Sequence, residues 1–308
     1  MLFKTDTMIN LYWSVYRNLE KEVIDLSNQV HFDDDQLSIY SVKISELLIR
    51  CSVEIEAISK DLYFKLGGIE PADGDLYFDT HCLQLLEDNW LLSKKKLIIS
   101  ATNFYFQCEE NRILTPLLKA NKRGTSSCDW KKAYQAVKHN RTLNLSKGNI
   151  KNLLRALGAL FILNIYFKDE VYNFEKDSKA TSFPINMGSD IFSIKLHKWF
   201  SYDANHNYGK KEDFDECIYL TKYTDDSREK NRQATEEMMN KQRELFLKHP
   251  KFLKYIETND LKNYNGQNLM WDVLGKDDYM NIIQISTQQK MEVLKNTEYE
   301  ATLNKNTI

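Results

Sequence analysis

Proline and glycine are scarce in this 308-residue chain, at 4 and 10 residues. So little punctuation excludes a collagen-like or turn-rich β architecture and favours long helices. The five cysteines, Cys51, Cys82, Cys108, Cys128 and Cys217, are odd in number, widely spaced and free of any CxxC pair. That pattern implies neither a disulfide frame nor a zinc site, so reduced thiols and no metal are expected. His197 and His206 show no metal-ligand spacing to each other or to a cysteine. No run of ~20 apolar residues occurs, so no membrane span is expected. The opening "MLFKTDTMINLYW" has no uninterrupted apolar stretch and no small-residue cleavage site, so a cytoplasmic chain without a signal peptide is expected. GxxxxGK[ST], GxSxG and HExxH are all missing, which leaves P-loop, serine-hydrolase and metalloprotease chemistry without support and implies no cofactor.

What is present is an uneven charge distribution beneath a formal net charge of −2. From Arg112 to Lys168 there are twelve Lys/Arg residues and one acid, Asp129, whereas residues 1–111 carry ten basic and nineteen acidic residues. A basic block of this kind is the electrostatic footprint of an anion or nucleic-acid site. It fits equally a basic helix pairing with acidic neighbours inside one bundle.

Apolar residues at alternating spacings of four and three (Tyr12, Tyr16, Leu19, Val23, Leu26, Val30) predict a helix over 9–30. A second long helix runs from Leu37 through Ile44, Leu47, Cys51, Ile55 and Leu62 to the Gly67–Gly68 stop. Residues 79–93 read as helix, while 94–106 are ambiguous between strand and helix end. Asp129 is the expected cap of a helix beginning "WKKAYQAVKHNR". "IKNLLRALGALFILNIYF" is apolar on nearly every side after Leu157, which predicts a buried central helix. Beyond residue 170 the texture changes. "DIFSIKLHKW" and "DECIYLTKYT" predict a hairpin over about 190–224, a charged helix follows over about 226–249, and the tail is mixed and frayed at its end.

Two long helices, then "W-x-x-x-Y-x-x-V-K-H-x-R", then "NIKNLLRALGALFILNIYF" together resemble the HEPN-like (higher eukaryotes and prokaryotes nucleotide-binding) helical domains of prokaryotic defence and toxin systems. "SELLIRCSVEIEAISKDLY" at 45–63 fits the earlier core helix of such domains. The resemblance covers roughly residues 1–170. It implies an HEPN-like helical bundle over 1–170, and together with the strand and helix pattern beyond, which resembles no known family, the expected fold is mainly α with a smaller α+β region over 171–308. It also implies a homodimer and metal-independent cleavage of RNA through an R-x(4–6)-H motif. In that chemistry the Arg holds phosphate and the His assists proton transfer as the ribose 2′-hydroxyl attacks phosphorus.

The chain departs from the motif at His139, because no Arg lies five to seven residues before it. Lys132 stands seven before His139, within ~20° of it around a helix, but an ammonium cannot clamp two phosphate oxygens in a plane. Arg141 is the substitute cation, and it meets His139 only if the helix ends near Asn140 or across a dimer interface. The expected catalytic group is therefore His139, Arg141 and Lys132, with Lys131, Lys138, Asn140 and Lys147 as nucleic-acid contacts.

Each has a second reading. His139 is a proton-transfer residue or a hydrogen-bonding residue of the bundle. Arg141 holds phosphate or pairs with Glu54 or Glu56. Lys131 and Lys132 form a solvated face. Trp130 is a packing anchor or a base-stacking platform. The functional alternatives are an RNA-binding or RNA-cleaving protein and a catalytically silent module that dimerises or docks a protein through its C-terminal region. A nucleotide-ligand sensor is a third.

Overall fold

The computed structural model describes residues 11–72, 74–198 and 209–306. The chain forms two compact units, the first made of Met1–Tyr172, Ser182–Thr221 and Ala301–Ile308, the second of Asn173–Thr181 and Lys222–Glu300. The first passage between units thus falls two residues beyond the expected boundary at 170, and the chain then returns twice.

The elements follow in chain order: α1 (Leu11–Ser27), β1 (Phe32–Asp33) and α2 (Val42–Lys65). A π-helical turn over Phe78–Leu83 runs into α3 (Gln84–Trp90), followed by β2 (Leu97–Ile99), β3 (Phe104–Tyr105), α4 (Glu109–Arg112) and β4 (Ile113–Leu114). Next come α5 (Asp129–His139), α6 (Arg141–Asn144), α7 (Ile150–Lys168) and β5 (Tyr172–Glu175). The remaining strands before the second unit's helices are β6 (Phe192–Ile194), β7 (Leu196–Lys198) and β8 (Tyr219–Tyr223). The helices of the second unit are α8 (Asp225–Leu247), α9 (Pro250–Thr258), α10 (Leu269–Leu274) and α11 (Lys276–Lys295), and β9 (Tyr299–Leu303) ends the series. The fold is mainly α, with three small sheets among the described residues.

The first unit is organised around α7. Every residue from Ala156 to Tyr166 is buried. Helices α2, α1 and α5 pack on it. From another side the strands approach, because a Cβ added at Gly158 would lie 3.1 Å from Leu97 Cδ1 and 3.6 Å from Phe192 Cζ. The Phe161 ring also stacks on Phe192, with centroids 5.6 Å apart. Enclosure by helices and by the β4-β2-β6 sheet is why α7 is apolar all round rather than along one stripe. By length and composition α7 is also apolar enough to cross a membrane, but 83% of that window is buried inside the protein, the position of a core helix.

Polar ties fix α1 to the segment before β6. The buried Glu20 carboxylate accepts from Tyr16 Oη (2.7 Å), from Ser189 Oγ and from the Asp190 and Ile191 amides (3.0 and 3.2 Å), and it pairs with Arg17. A buried carboxylate is tolerable only when its lone pairs are filled in this way.

Two expectations need correction. No hairpin joins the 190s to the 220s. Strand β7 pairs with β8 in parallel (Leu196 with Tyr219, Lys198 with Thr221), while β6 pairs antiparallel with β2. Parallel strands need a crossover, not a tight turn, and part of this one, 199–208, lies outside the described residues, as does His206. Alternation identified the strands but could not identify their partners. The tail is not frayed over 299–304 either. Strand β9 lies between β5 and β8 in the sheet order β5-β9-β8-β7, with Ala301, Leu303 and Asn304 buried. Asn304 Nδ2 donates to the carbonyls of Phe214 (2.6 Å) and Cys217 (3.1 Å), and Tyr166 Oη donates to the Asn304 carbonyl (2.8 Å).

In the second unit α8 packs along α11. A small core of Phe246, Phe252, Leu274 and Ile282 joins these helices to α9 and α10.

Asn304→Ala leaves the Phe214 carbonyl without its side-chain donor and the Cys217 carbonyl with only that of Lys95, at an expected cost of roughly 1–3 kcal/mol. The urea midpoint of the full chain checks this. A frayed tail would instead show a shift below ~0.5 kcal/mol, the ordinary range for surface substitutions.

Candidate functional site

The basic block folds around α5, and neighbouring residues of that helix face opposite environments. Successive side chains on a helix are ~100° apart, so Lys131 and Lys132 cannot share one. Lys131 is 3% exposed, contrary to a solvated face. Its ammonium donates to Asp79 Oδ2 (2.6 Å) and to the carbonyls of Ala120 (3.2 Å) and Lys122 (2.5 Å), which occupies all three of its protons. Arg123 Nε reaches both Asp79 oxygens (3.0 and 3.2 Å), and its guanidinium lies 3.5 Å from the Tyr77 ring centroid. Burial pushes the Asp79 carboxyl up, but the Lys131 hydrogen bond and charge, the Thr80 amide and Arg123 outweigh it, so its pKa falls below the usual carboxylate range. This cluster closes a cleft of about 470 Å³ that Glu56, Lys60 and Gln135 also line. With every donor of Lys131 engaged, the cluster pins α5 to the π-helical turn and leaves Lys131 out of contact with any solvent-borne phosphate.

Lys132 points outward. It stands between two adjoining depressions that share it and Asp129. One, about 340 Å³, is also lined by Lys119, Arg155 and the hydroxyls of Thr125 and Ser126. The other, about 450 Å³, holds Lys147, Lys151 and Asn149. Five cations therefore border one groove, against the single carboxylate of Asp129, which lies 3.5 Å from Lys132. No carboxylate lies within ion-pair distance of Arg155 among the described residues. Burial lowers its pKa, against the attraction of Asp129 and Glu110. Lys119 is held with φ at +62°, a region an L-residue occupies at some cost and one that clusters at binding sites.

Local capping shapes the groove. The N-cap of α5 is Cys128, not Asp129, and it makes no side-chain cap hydrogen bond, so Asp129 is the first helical residue and meets the positive helix end. At the far end the helix stops at His139. Asn140 takes φ −149° and ψ 81°, and its side chain accepts from the Leu143 amide to start α6. Asn149 then caps α7 by accepting from the Asn152 amide. The turn between them is held against α2, since a Cβ on Gly148 would come within 2.9 Å of the Ser45 Cα. Lys147 thereby lines the same depression as Lys132.

The remaining expected residues disperse. His139 is exposed, with no hydrogen bond or ion pair among the described residues. The break at Asn140 redirects Arg141. It is exposed and lies 3.9 Å from Glu46, not against Glu54 or Glu56. Lys138 lies over the Tyr134 ring at 5.3 Å, on the side of Glu56. Trp130 is 1% exposed and donates to the Pro116 carbonyl (2.8 Å), so it is a packing anchor and no stacking platform. Lys132 and Lys147 line one depression, His139 stands one to two turns further along α5 on the side of Lys132, and Arg141, Lys138 and Lys131 face elsewhere. Asp79, Arg123, Lys119, Lys151 and Arg155 were not singled out from sequence. Lys151 and Arg155 did carry a usable signal, four residues apart in the first turns of a helix that is apolar through its middle.

No protein-family model, no curated protein and no solved structure matches this chain.

Asp79→Asn strands the Lys131 ammonium without its buried counter-charge, at an expected cost of roughly 3–5 kcal/mol in denaturant unfolding. Because folding lowers the Asp79 pKa below its unfolded ~3.9, the native carboxylate stabilises the fold above about pH 4 and that stabilisation is lost as pH falls through the folded value. The variant should therefore show a flatter stability profile below pH ~4 than the wild type. An unchanged profile would mean that Asp79 does not act through its charge.

Proposed function

We propose that this protein is an HEPN-like RNA-binding protein of a prokaryotic defence or toxin system, with the groove bordered by Lys119, Lys132, Lys147, Lys151 and Arg155 as its RNA site. The observation that carries the reading is the groove itself: five cations from four segments converge where one carboxylate opposes them. A chain of phosphates is the ligand whose charge spacing suits such a strip, and phosphate contacts dominate nucleic-acid affinity.

Metal-independent cleavage rests on a second observation. His139 is exposed on the α5 turn that follows the groove, and α5 is unbroken from Lys132 to His139, so the two side chains project on the same side of the helix. In this reading His139 accepts the 2′-hydroxyl proton as that oxygen attacks the adjacent phosphorus. The P–O5′ bond breaks, the 5′-oxygen takes up a proton, and a 2′,3′-cyclic phosphate remains. Lys132 supplies charge to the phosphorane in place of the arginine of the family motif, and a homodimer would bring two such helices together. Arg141 beside Glu46 has a weaker claim to phosphate than Lys132. The silent-module alternative calls for Arg141 buried on Glu54 or Glu56 and a protein partner for His139, and the geometry of neither residue supports it.

Incubating the purified chain with total RNA and with tRNA, with and without EDTA, tests the reading. The expected result is EDTA-resistant cleavage that leaves cyclic-phosphate ends and is lost in His139→Ala. Lys132→Ala is expected to lose activity by ~100–1,000-fold, the range of a removed charge-stabilising donor. RNA that is neither bound at low salt nor cut would overturn the proposal in favour of the interaction module.

A further inference from the structure

The crossover that replaces the expected hairpin gathers three side chains that the linear sequence keeps apart. His197, on β7, is fully buried and its Nδ1 lies 2.8 Å from Asp213 Oδ1. The other carboxylate oxygen of Asp213 lies 3.7 Å from the buried Cys217 Sγ. All three donor atoms fall within 4.8 Å of one another.

We infer that His197, Asp213 and Cys217 form a divalent transition-metal site of the zinc class, independent of the RNA reading. Zn–N of ~2.0–2.1 Å, Zn–O of ~2.0–2.2 Å and Zn–S of ~2.3 Å in a tetrahedron place N and O about 3.3 Å apart and S and O about 3.5 Å apart. The observed 2.8 Å runs to Oδ1 and the 3.7 Å to Oδ2 of the same carboxylate, about 0.5 Å short of and about 0.2 Å beyond those separations, so an ion enters once the Asp213 carboxylate turns and His197 draws back. The donor set of one imidazole, one carboxylate and one thiolate is the mixed N/O/S set that suits zinc. Its charge also balances. Binding releases the Cys217 thiol proton, and the resulting thiolate and the Asp213 carboxylate cancel the 2+ of the ion around a neutral imidazole.

The framework holding these ligands is rigid. Cys217 N and Glu216 N both donate to the Asp213 carbonyl (3.2 and 3.1 Å), which closes the segment 213–217 into a tight turn. Lys95 Nζ holds the carbonyls of Asp215 and Cys217 (2.9 and 3.1 Å), and Asn304 holds those of Phe214 and Cys217. The Lys95 ammonium is thus bonded to backbone carbonyls, not to the donor atoms themselves. The Phe214 ring stands at 89° to the His197 imidazole with centroids 5.2 Å apart and limits its rotation. Preorganisation of this kind is what a metal site requires of its scaffold. Three protein ligands leave one tetrahedral position, and the half-exposed Asp213 marks the side from which solvent reaches it.

The test is a titration of the chelator-stripped full chain with Co²⁺, followed by displacement with Zn²⁺. One equivalent should produce a thiolate-to-cobalt charge-transfer band with tetrahedral d–d bands, release one proton and be displaced by Zn²⁺. Cys217→Ser should abolish the charge-transfer band. Asp213→Asn, at a partly exposed position that the fold tolerates, should weaken cobalt affinity at least tenfold with an unchanged far-ultraviolet dichroism spectrum. A folded wild-type chain without a charge-transfer band, or a band that persists in Cys217→Ser and therefore arises from Cys108 or Cys128, overturns the assignment.

Discussion

Enclosure of α7 is the constraint on which the first unit depends. A helix buried on every side must receive helices on one flank and strands on another, and each fully buried Leu, Ile or Phe along it contributes roughly 1.5–3 kcal/mol. Helices α1, α2 and α5 supply one flank, and the sheet containing Leu97 and Phe192 supplies the other. Gly158 permits that second approach, since any larger side chain would displace Leu97. In the first turns of α7 only Lys151 and Arg155 escape full burial, and they emerge beside α5. The groove is therefore a consequence of where the core helix reaches the surface.

Two local devices turn that surface into a site. The Asp79–Lys131–Arg123 cluster sets the rotation of α5, so that Lys131 is consumed internally and Lys132 is presented to solvent. The Asn140 break, followed by the Gly148 contact with α2, redirects the chain and brings Lys147 to the depression that Lys132 lines. Without the break, Arg141 would continue the face of Tyr134 and Val137 towards the core. With it, Arg141 is exposed beside Glu46. The charge of residues 112–168 thus divides into an internal share that builds the bundle and an external share available to a polyanion, and the two readings of the basic block are both realised in different residues.

Legibility in the sequence followed the range of the interactions. Helices α1, α2, α5, α7 and α8 were readable because a 3.6-residue period and local caps lie within one segment. The end of the 226–249 helix, the Gly67–Gly68 stop and the burial of Trp130 were readable for the same reason. Long-range pairing was not. The parallel β7–β8 pair, the insertion of β9 between β5 and β8, and the pairing of Asp79 with Lys131 across 52 residues leave no periodic trace. The "NTEYEATLNKNTI" tail reads as polar because Asn304 works through hydrogen bonds to backbone carbonyls rather than through apolar area. The site was half legible: its charge was visible as composition, but the choice among neighbouring lysines depended on helix rotation set by a carboxylate far away in sequence.

The most direct test of the account is the salt dependence of binding to a single-stranded RNA oligonucleotide by the wild type and by a Lys132→Ala, Lys147→Ala, Lys151→Ala triple variant. Each phosphate neutralised contributes about −0.7 to the slope of log K against log salt for single strands, so a groove engaging four or five phosphates predicts a slope near −3. Removing three of its cations should bring the slope to about −1 and weaken binding by at least tenfold at low salt. Equal slopes and affinities for the two proteins would show that RNA, if bound, is held elsewhere, and would contradict the assignment of the groove.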